Sequence, residues 1–378
     1  MTSPKLALVD VLAQIPDPRQ SSGKRYSLVA ILSLAIAAML CGYKSYSAIA
    51  QWGRIYGQQL TEALGFKAGK TPCAATFYNL FSRLDKHALE QKLGAWAGAL
   101  VKPSPSDQKP EAIAIDGKTL RGAKKHGAAA AHLLSALGHR LGLTLLQVAV
   151  SDKTNEITAV QELLQGLILK DKIITVDALL TQVEVAQTIL TQGGDYVMVV
   201  KGNQPGLLAQ VEGAIAGVDF YTQPPQEAQT LDCGHGRIEA RKIITTSVLA
   251  ECGVWPGLDQ AFKIERRIVE QKSGKERSEA VYGITSLSRE RAAAGVVLEI
   301  NRGHWSIENQ SHWVRDVTFD EDRSQVRKGS LPQVMAALRN TAIGVLRWSG
   351  ESNIAAACRR LAAQPWAALA LLGINLTP

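Results

Sequence analysis

Cysteine is scarce in this chain. Five residues, Cys41, Cys73, Cys233, Cys252 and Cys358, are spread over 378 positions. The count is odd and no pair has zinc-ligand or redox-motif spacing. A disulfide scaffold, a zinc finger and a thioredoxin-like centre are therefore excluded, and free thiols in a reducing cytosol are expected. A membrane-length apolar run is also missing. The longest, Ser27–Leu40, falls short of the roughly 18 residues that a span needs, so it reads as a buried core helix and no membrane partner is expected. The start carries Pro4, Asp10 and Asp17 in place of a basic-then-apolar leader, which predicts no signal peptide and a cytoplasmic protein. There are no internal repeats and no low-complexity tract.

Hydrophobic residues make up 46% and charged residues 20%, the balance of a globular protein long enough for two or three domains. Formal charge is +8, unevenly placed. Residues 1–110 hold 13 Lys/Arg against 6 Asp/Glu, a surplus of 7, whereas residues 111–378 hold 29 against 28. The first third is thus the part expected to meet a polyanion; a solvated basic surface is the plainer reading.

Residues 1–100 read as helical: Leu6–Ile15, stopped by Pro16 and Pro18; Leu28–Cys41, stopped by Gly42; Tyr46–Leu64; and Phe77–Leu84. The Pro-led turn at Thr71–Thr76, followed by a helix bearing Tyr78, Asn79 and Arg83, suggests a helix-turn-helix, although helical hairpins without a DNA role share that pattern. Residues 101–110 form a Pro- and Ser-rich linker.

From 111 the periodicity changes. Strands are predicted at Ala112–Asp116, His132–Leu137, Leu143–Ser151, Ile173–Asp177 and Tyr196–Val200, with helices from Asn155 to about Ile168, Thr181–Gln192 and about Gly206–Ile215. Between the first two strands lies a loop with Lys118, Arg121, Lys124 and Lys125. This order is that of an RNase H-like fold, in which the first and fourth strands lie side by side. Residues 217–298 interrupt it as a β-rich insertion, with strands at Gly236–Thr246, Ala261–Val269 and Glu279–Ser286. The fold class expected is α/β: a mixed-sheet core over 111–216 and 299–347, the insertion, a helical amino-terminal DNA-binding domain over 1–100, and a helical carboxyl-terminal tail over 348–378.

The chemistry concentrates in Arg302–Asp316. At helical period His304, Glu308, His312 and Arg315 fall on one face. Asp116 and Asp177 each end an apolar strand, where α/β sheets build their sites. Two carboxylates about 4 Å apart repel by roughly 4 kcal/mol at an effective dielectric near 20, so a gathered set of three implies a cation or shared protons. Asp116, Asp177 and Glu308 are accordingly expected to converge on divalent metal. Two Mg²⁺ ions, with Mn²⁺ as a substitute, suit such hard oxygen ligands and phosphodiester displacement. Lys118, Arg121, Lys201 and Arg315 are placed to neutralise phosphates, and Asn203 and Gln204 to donate to DNA. His304 and His312 read as hydrogen-bonded or phosphate-facing rather than metal-bound. Trp305 and Trp313 read as core, with base stacking as the other reading.

Six ordered motifs go further: Ile115-Asp-Gly-Lys-Thr-Leu-Arg-Gly122, Lys153-Thr-Asn-Glu-Ile157, Val176-Asp-Ala-Leu-Leu-Thr-Gln182, Gly194-Asp-Tyr-Val197 with Lys201-Gly-Asn-Gln204, Gly234-His-Gly-Arg-Ile-Glu239, and His304-Trp-Ser-Ile-Glu-Asn309 with His312-Trp313 and Glu321-Asp322. With these the chain, from about Asp17 to Leu346, resembles bacterial insertion-sequence DDE transposases of the ISAs type, including H-repeat-associated proteins. The resemblance implies an RNase H-like core with Asp116, Asp177 and Glu308 as acidic triad. It also implies metal-dependent strand cleavage and transfer at terminal inverted repeats, double-stranded DNA as end and target partner, and a homodimer on DNA. Related enzymes carry Tyr-x2-Arg-x3-Glu-x6-Lys around the last acid; here Asn301, His304 and Arg315 stand at those places, and only Arg315 keeps the charge. The alternatives are a catalytically inactive or domesticated DNA-binding relative, which would keep the basic first third, and a nuclease or phosphohydrolase, which would not need residues 1–100.

Overall fold

The computed structural model describes residues 7–20, 24–66, 69–101, 111–123, 131–150, 156–217, 224–234 and 236–374. Most of the 101–110 linker, Lys124, Lys125, the Lys153–Asn155 part of the second motif and His235 lie outside the described residues. Five helices come first: α1 (Leu8–Leu12), α2 (Leu28–Leu40), α3 (Tyr46–Ala63), α4 (Ala74–Phe81) and α5 (Lys86–Leu100). Their starts are set by short oxygen-bearing side chains. Ser27 accepts from the Ala30 amide, Ser45 from Ala48, and Asp85 from His87 and Ala88, satisfying amides that a first turn leaves open. Twelve of the 13 residues of α2 are buried, so the apolar run is the core helix expected. α3 breaks at Gly57, where φ is +43°, a value that glycine tolerates.

The strands and helices that follow are β1 (Ala112–Thr119), β2 (His132–Gly138), β3 (Leu143–Val150), α6 (Glu156–Gln165), β4 (Ile173–Val176), α7 (Val183–Thr191), β5 (Asp195–Val200), α8 (Pro205–Ala216), β6 (Gln226–Gly234), β7 (Arg237–Thr246), β8 (Gln260–Glu270), β9 (Glu276–Thr285) and α9 (Ala294–His304). Two π-helical segments, Glu308–His312 and Val314–Thr318, precede α10 (Leu331–Trp348), α11 (Ile354–Ala363) and α12 (Pro365–Leu371). The strands form a mixed sheet in the order β3-β2-β1-β4-β5-β9-β8-β7-β6. The α/β class and the element order from β1 to α8 are as the sequence implied.

The chain divides into two compact units: residues 1–106, 117–155 and 307–378 form the first, and residues 107–116 and 156–306 the second. In the second unit the start of β1 pairs parallel with β4, β4 pairs parallel with β5, and β9 pairs antiparallel with β5. The β-rich segment expected between the core strands and the last motif is continuous with this sheet. Its meander β9-β8-β7-β6 extends the core sheet and covers the edge that β5 would otherwise leave open. Gly283 on β9 makes this close: a Cβ there would stand 2.2 Å from Phe262 Cζ and 2.6 Å from the Met198 carbonyl oxygen. β6 escaped the sequence reading because Gln226–Gly234 is mostly polar and alternates between half-buried and exposed, with no fully buried position.

The first unit is built around α10, whose residues Leu331–Leu346 are all buried. α2 and α5 pack against α10, and α11 and α12 against α2. The Val9 amide donates to the Leu372 carbonyl at 3.0 Å, and Cys41 Sγ to the Leu361 carbonyl at 3.3 Å. The amino-terminal helices and the carboxyl-terminal helices, expected as a separate domain and a tail, thus share one core. Removing residues 1–100 would strip α10 as well as any DNA surface.

A polar network is sealed inside this unit. Glu321, 2% exposed, is gripped by Arg315 at 2.7 Å and by Arg339 at 2.9 Å. Gln147 on β3 accepts from Arg315 and from Asn340, and donates to Glu90 on α5 at 2.7 Å. Burial pushes the Glu90 carboxyl up to about 8, against the opposing pull of the Gln147 amide and of the Arg315 charge.

Replacing Glu321 by Ala leaves two guanidiniums buried without their counter-charge. The expected cost is about 3–5 kcal/mol, read as a lower urea midpoint at unchanged slope; a midpoint equal to wild type would refute this role. Glu90 gives a pH test. Its folded value lies above its ordinary 4.5, so its contribution is complete below about 4.5 and is lost as pH rises through about 8. Glu90→Gln should flatten the fall in thermal midpoint across that window and be the more stable form at its alkaline end.

Candidate active site

The second unit presents the carboxyl ends of three parallel strands together. Register pairs Ile115 on β1 with Val176 on β4, so Asp116 and Asp177 follow as neighbours on strands about 4.8 Å apart. The sequence-based expectation that the first and fourth strands adjoin holds. Asp177 Oδ1 accepts from the Leu180 amide at 3.2 Å and its carbonyl from the Thr181 hydroxyl at 3.0 Å, which fixes the turn leaving β4. His304, at the end of α9, lies against the same strand, its Nδ1 3.0 Å from Thr175 Oγ1. Burial lowers the pKa of the His304 ring, opposed by the charge of Asp177, so the ring is neutral beside that carboxylate.

The motif after β5 divides in two. Lys201 is exposed. Asn203 Nδ2 instead donates to the Ala178 carbonyl at 2.7 Å, and Gln204 Nε2 to Thr181 and Gln182 at 3.1 and 3.2 Å. Both amides, expected to donate to DNA, are spent bracing the loop that follows Asp177.

In the first unit, Gly117–Gly122 explains its own motif. A Cβ on Gly117 would stand 2.5 Å from His132 Nε2, and one on Gly122 would lie 2.6–2.9 Å from the carbonyl oxygens of Ser324, Glu321 and Asp322. Lys118 is buried, with Nζ 2.5 Å from Asp316 Oδ2, whereas the Arg121 side chain is 81% exposed, 4.0 Å from Asp322. Of the two bases, Arg121 alone keeps its guanidinium in solvent. From the sequence Asp322 enters only as part of the Glu321-Asp322 motif, and Asp316 only as the end of the Arg302–Asp316 stretch; neither carries a role there as an ion-pair partner.

The single helical face expected for His304, Glu308, His312 and Arg315 does not form. α9 stops at His304, and Glu308 opens a π-helix, whose wider turn abandons the 3.6 period. Glu308 is exposed. His312 is buried, and its ring is pushed down to about 2 by burial and by the charges of Arg315, Lys118 and His132. Arg315 is fully buried on Glu321. The expected contact of Arg315 with phosphate is corrected accordingly: its guanidinium is a core ion-pair member. Trp305 and Trp313, expected in the core, are 61% and 56% exposed.

For metal, Asp116 and Asp177 supply hard oxygen donors side by side, as a divalent cation requires. Among the described residues no group of three or more His, Cys, Asp or Glu side chains stands ready to hold an ion. The residues thus fit a metal as a carboxylate pair within the second unit, with Glu308 described as an exposed acid of the first. Among the described residues no helix is long and apolar enough to cross a membrane.

Comparison with known proteins gives two family matches, DDE_Tnp_1-associated over residues 9–97 and Transposase DDE domain over residues 107–344. YncI of Escherichia coli O157:H7, named as a candidate transposase, is 32% identical over 348 residues, covering 90% of this chain and 87% of that one. The H repeat-associated candidate transposase YhhI of Escherichia coli K12 is 31% identical, covering 90% of each. A solved piggyBac transposase synaptic complex with hairpin DNA aligns over 98% of this chain and 78% of that one at 10% identity, with a TM-score of 0.42. The family match from residue 107 to residue 344, together with relatives aligned along nine-tenths of the sequence, shows that the chain belongs to the DDE transposases.

Proposed function

We propose that this transposase cuts double-stranded DNA at the terminal inverted repeats of an insertion sequence and joins the freed ends to target DNA, with Asp116, Asp177 and Glu308 as its acidic set. The observation that carries the reading is the parallel register of β1 and β4, whose last pair, Ile115 with Val176, is followed on each strand by a carboxylate, in a DDE-family chain. Those two acids, with Glu308, would hold Mg²⁺ or Mn²⁺. A bound pair of such ions would supply an activated water or 3′-hydroxyl and stabilise the leaving oxygen.

The chain's own residues supply position and charge. Asn203 and Gln204 hold the turn after Asp177 and so fix the aim of that carboxylate. The neutral His304 ring lets the carboxylate keep its full charge for a cation rather than spend it on an imidazolium. Lys201 and Arg121 keep exposed cations for DNA phosphates, each contact steepening the salt dependence of binding. The exposed rings of Trp305 and Trp313 are available for a splayed base. Pairing two DNA ends calls for a homodimer on DNA, and residues 1–100 carry the positive surplus for end recognition.

The test is incubation of the full chain with linear DNA bearing the element's own ends and Mg²⁺, with products resolved on a gel. Asp177→Asn and Asp116→Asn should each slow cleavage by about a hundredfold or more, with DNA affinity held. Cleavage at the wild-type rate by either variant would remove that acid from the site. DNA binding without cleavage by the wild type would favour the inactive DNA-binding relative.

A further inference from the structure

A cleft in the first unit lies between the start of α3 and the segment 319–331. Its volume is about 680 Å³, against about 30 Å³ for one water, so it has room for far more than a single ion. Its lining is strongly basic. Lys44, Arg323, Arg327 and Lys328 border it, with Asp320 as the opposing acid. Asp320 is 3.7 Å from Arg323. Arg327 Nε donates to the Gly122 carbonyl at 3.0 Å, which holds the side chain and leaves its other guanidinium hydrogens to the cleft. Among the described residues, Lys44, Arg327 and Lys328 have no carboxylate at ion-pair distance.

The inner end of the cleft is built from two buried groups. Arg339, 2% exposed, lines it, and Arg339 Nε has no hydrogen-bond acceptor in the protein although its Nη1 serves Glu321. The buried Tyr46 hydroxyl, also lining the cleft, has no partner either. A donor left unsatisfied in the interior costs about 1–3 kcal/mol, so two together at the end of a basic cleft call for an acceptor from outside. The capped first turn of α3, at Ser45–Ser47, opens into the same space and adds the positive end of its dipole. Tyr78, 36% exposed, offers a ring face at the border.

We propose that this cleft is a phosphodiester-binding groove that grips a DNA strand, a site other than the carboxylates of Asp116 and Asp177. A phosphate oxygen accepts from Arg339 Nε and the Tyr46 hydroxyl, and adjoining phosphates run along Lys44, Arg327 and Lys328. Arg323, Arg327 and Lys328 come from one short segment and Lys44 from the chain before α3, so the cations are spread over two elements, which suits a repeating polyanion better than a lone phosphate. The proposal rests on the transposase reading for the choice of DNA.

The test is fluorescence anisotropy of a short labelled duplex of mixed sequence, without metal, between about 50 and 200 mM salt. Lys44→Glu with Lys328→Glu should weaken binding by about tenfold or more and lower the slope of log affinity against log salt by about two, one per lost phosphate contact. Tyr46→Phe should weaken binding severalfold with the slope unchanged, because the lost group is neutral. Should charge reversal lower the thermal midpoint, Lys44→Gln with Lys328→Gln carries the same expected slope change. Wild-type affinity and slope in these variants would overturn the groove and leave the cleavage reading standing. A wild type that binds this duplex through these residues but cuts no end DNA would uphold the groove and defeat that reading. Failure of the wild type to bind any duplex, or preference for an acidic phosphopeptide over DNA, would overturn the DNA groove.

Discussion

The first unit depends on one carboxylate. Glu321 is held between Arg315 and Arg339, each of the three at most 2% exposed. Each charge taken from water costs several kcal/mol, and only close pairing with further hydrogen bonds returns it. Arg315 comes from the π-helical stretch, Arg339 from the middle of α10, and Gln147 ties Arg315 and Asn340 to β3 and, through Glu90, to α5. A slip of any of these elements strands a charge. The network therefore fixes register among helices whose other contacts, largely Ala, Leu and Val, would tolerate several arrangements.

The second unit solves a different problem. A parallel β1-β4-β5 arrangement gives a row of strand ends for acids, but it leaves β5 with an unpaired edge. The antiparallel meander occupies that edge and seals it with Phe262 lying across Gly283. The long separation in sequence between Asp177 and the carboxylates of the last motif is then sheet extension rather than an appended module. The amides of Asn203 and Gln204 tie the β5 loop to the β4 loop, so that the turn bearing Asp177 is braced from its neighbour.

Much of this was legible in the sequence, for stated reasons. β-branched runs ending in Asp fixed β1 and β4, and glycine or proline stops set most helices. Side-chain fate was less legible. Arg315 and Lys118 look like surface cations in a motif full of polar residues, yet their partners Glu321 and Asp316 lie in segments whose folding no local pattern announces. Asn203 and Gln204 have the same composition whether they face DNA or their own loop. The π-helix misled most: a 3.6-residue period applied across His304–Arg315 predicts one face, and a wider turn after a break at Trp305 yields a buried His312 and two exposed tryptophans. The division into compact units was less legible, because a change in composition marks a change of periodicity, whereas contacts such as Val9 to Leu372 join segments that no local pattern links.

The shared core of α2 with α10–α12 has a consequence for biosynthesis. Cys41 and Leu361, which meet there, are 320 residues apart. At roughly 5–20 residues per second of translation, the apolar surface of α2 leaves the ribosome about 16–64 s before the helices that cover it. Over that interval the face of α2 that α10–α12 cover lacks its native partners, and only α1 and α3, made close to it in the chain, can shield the helix.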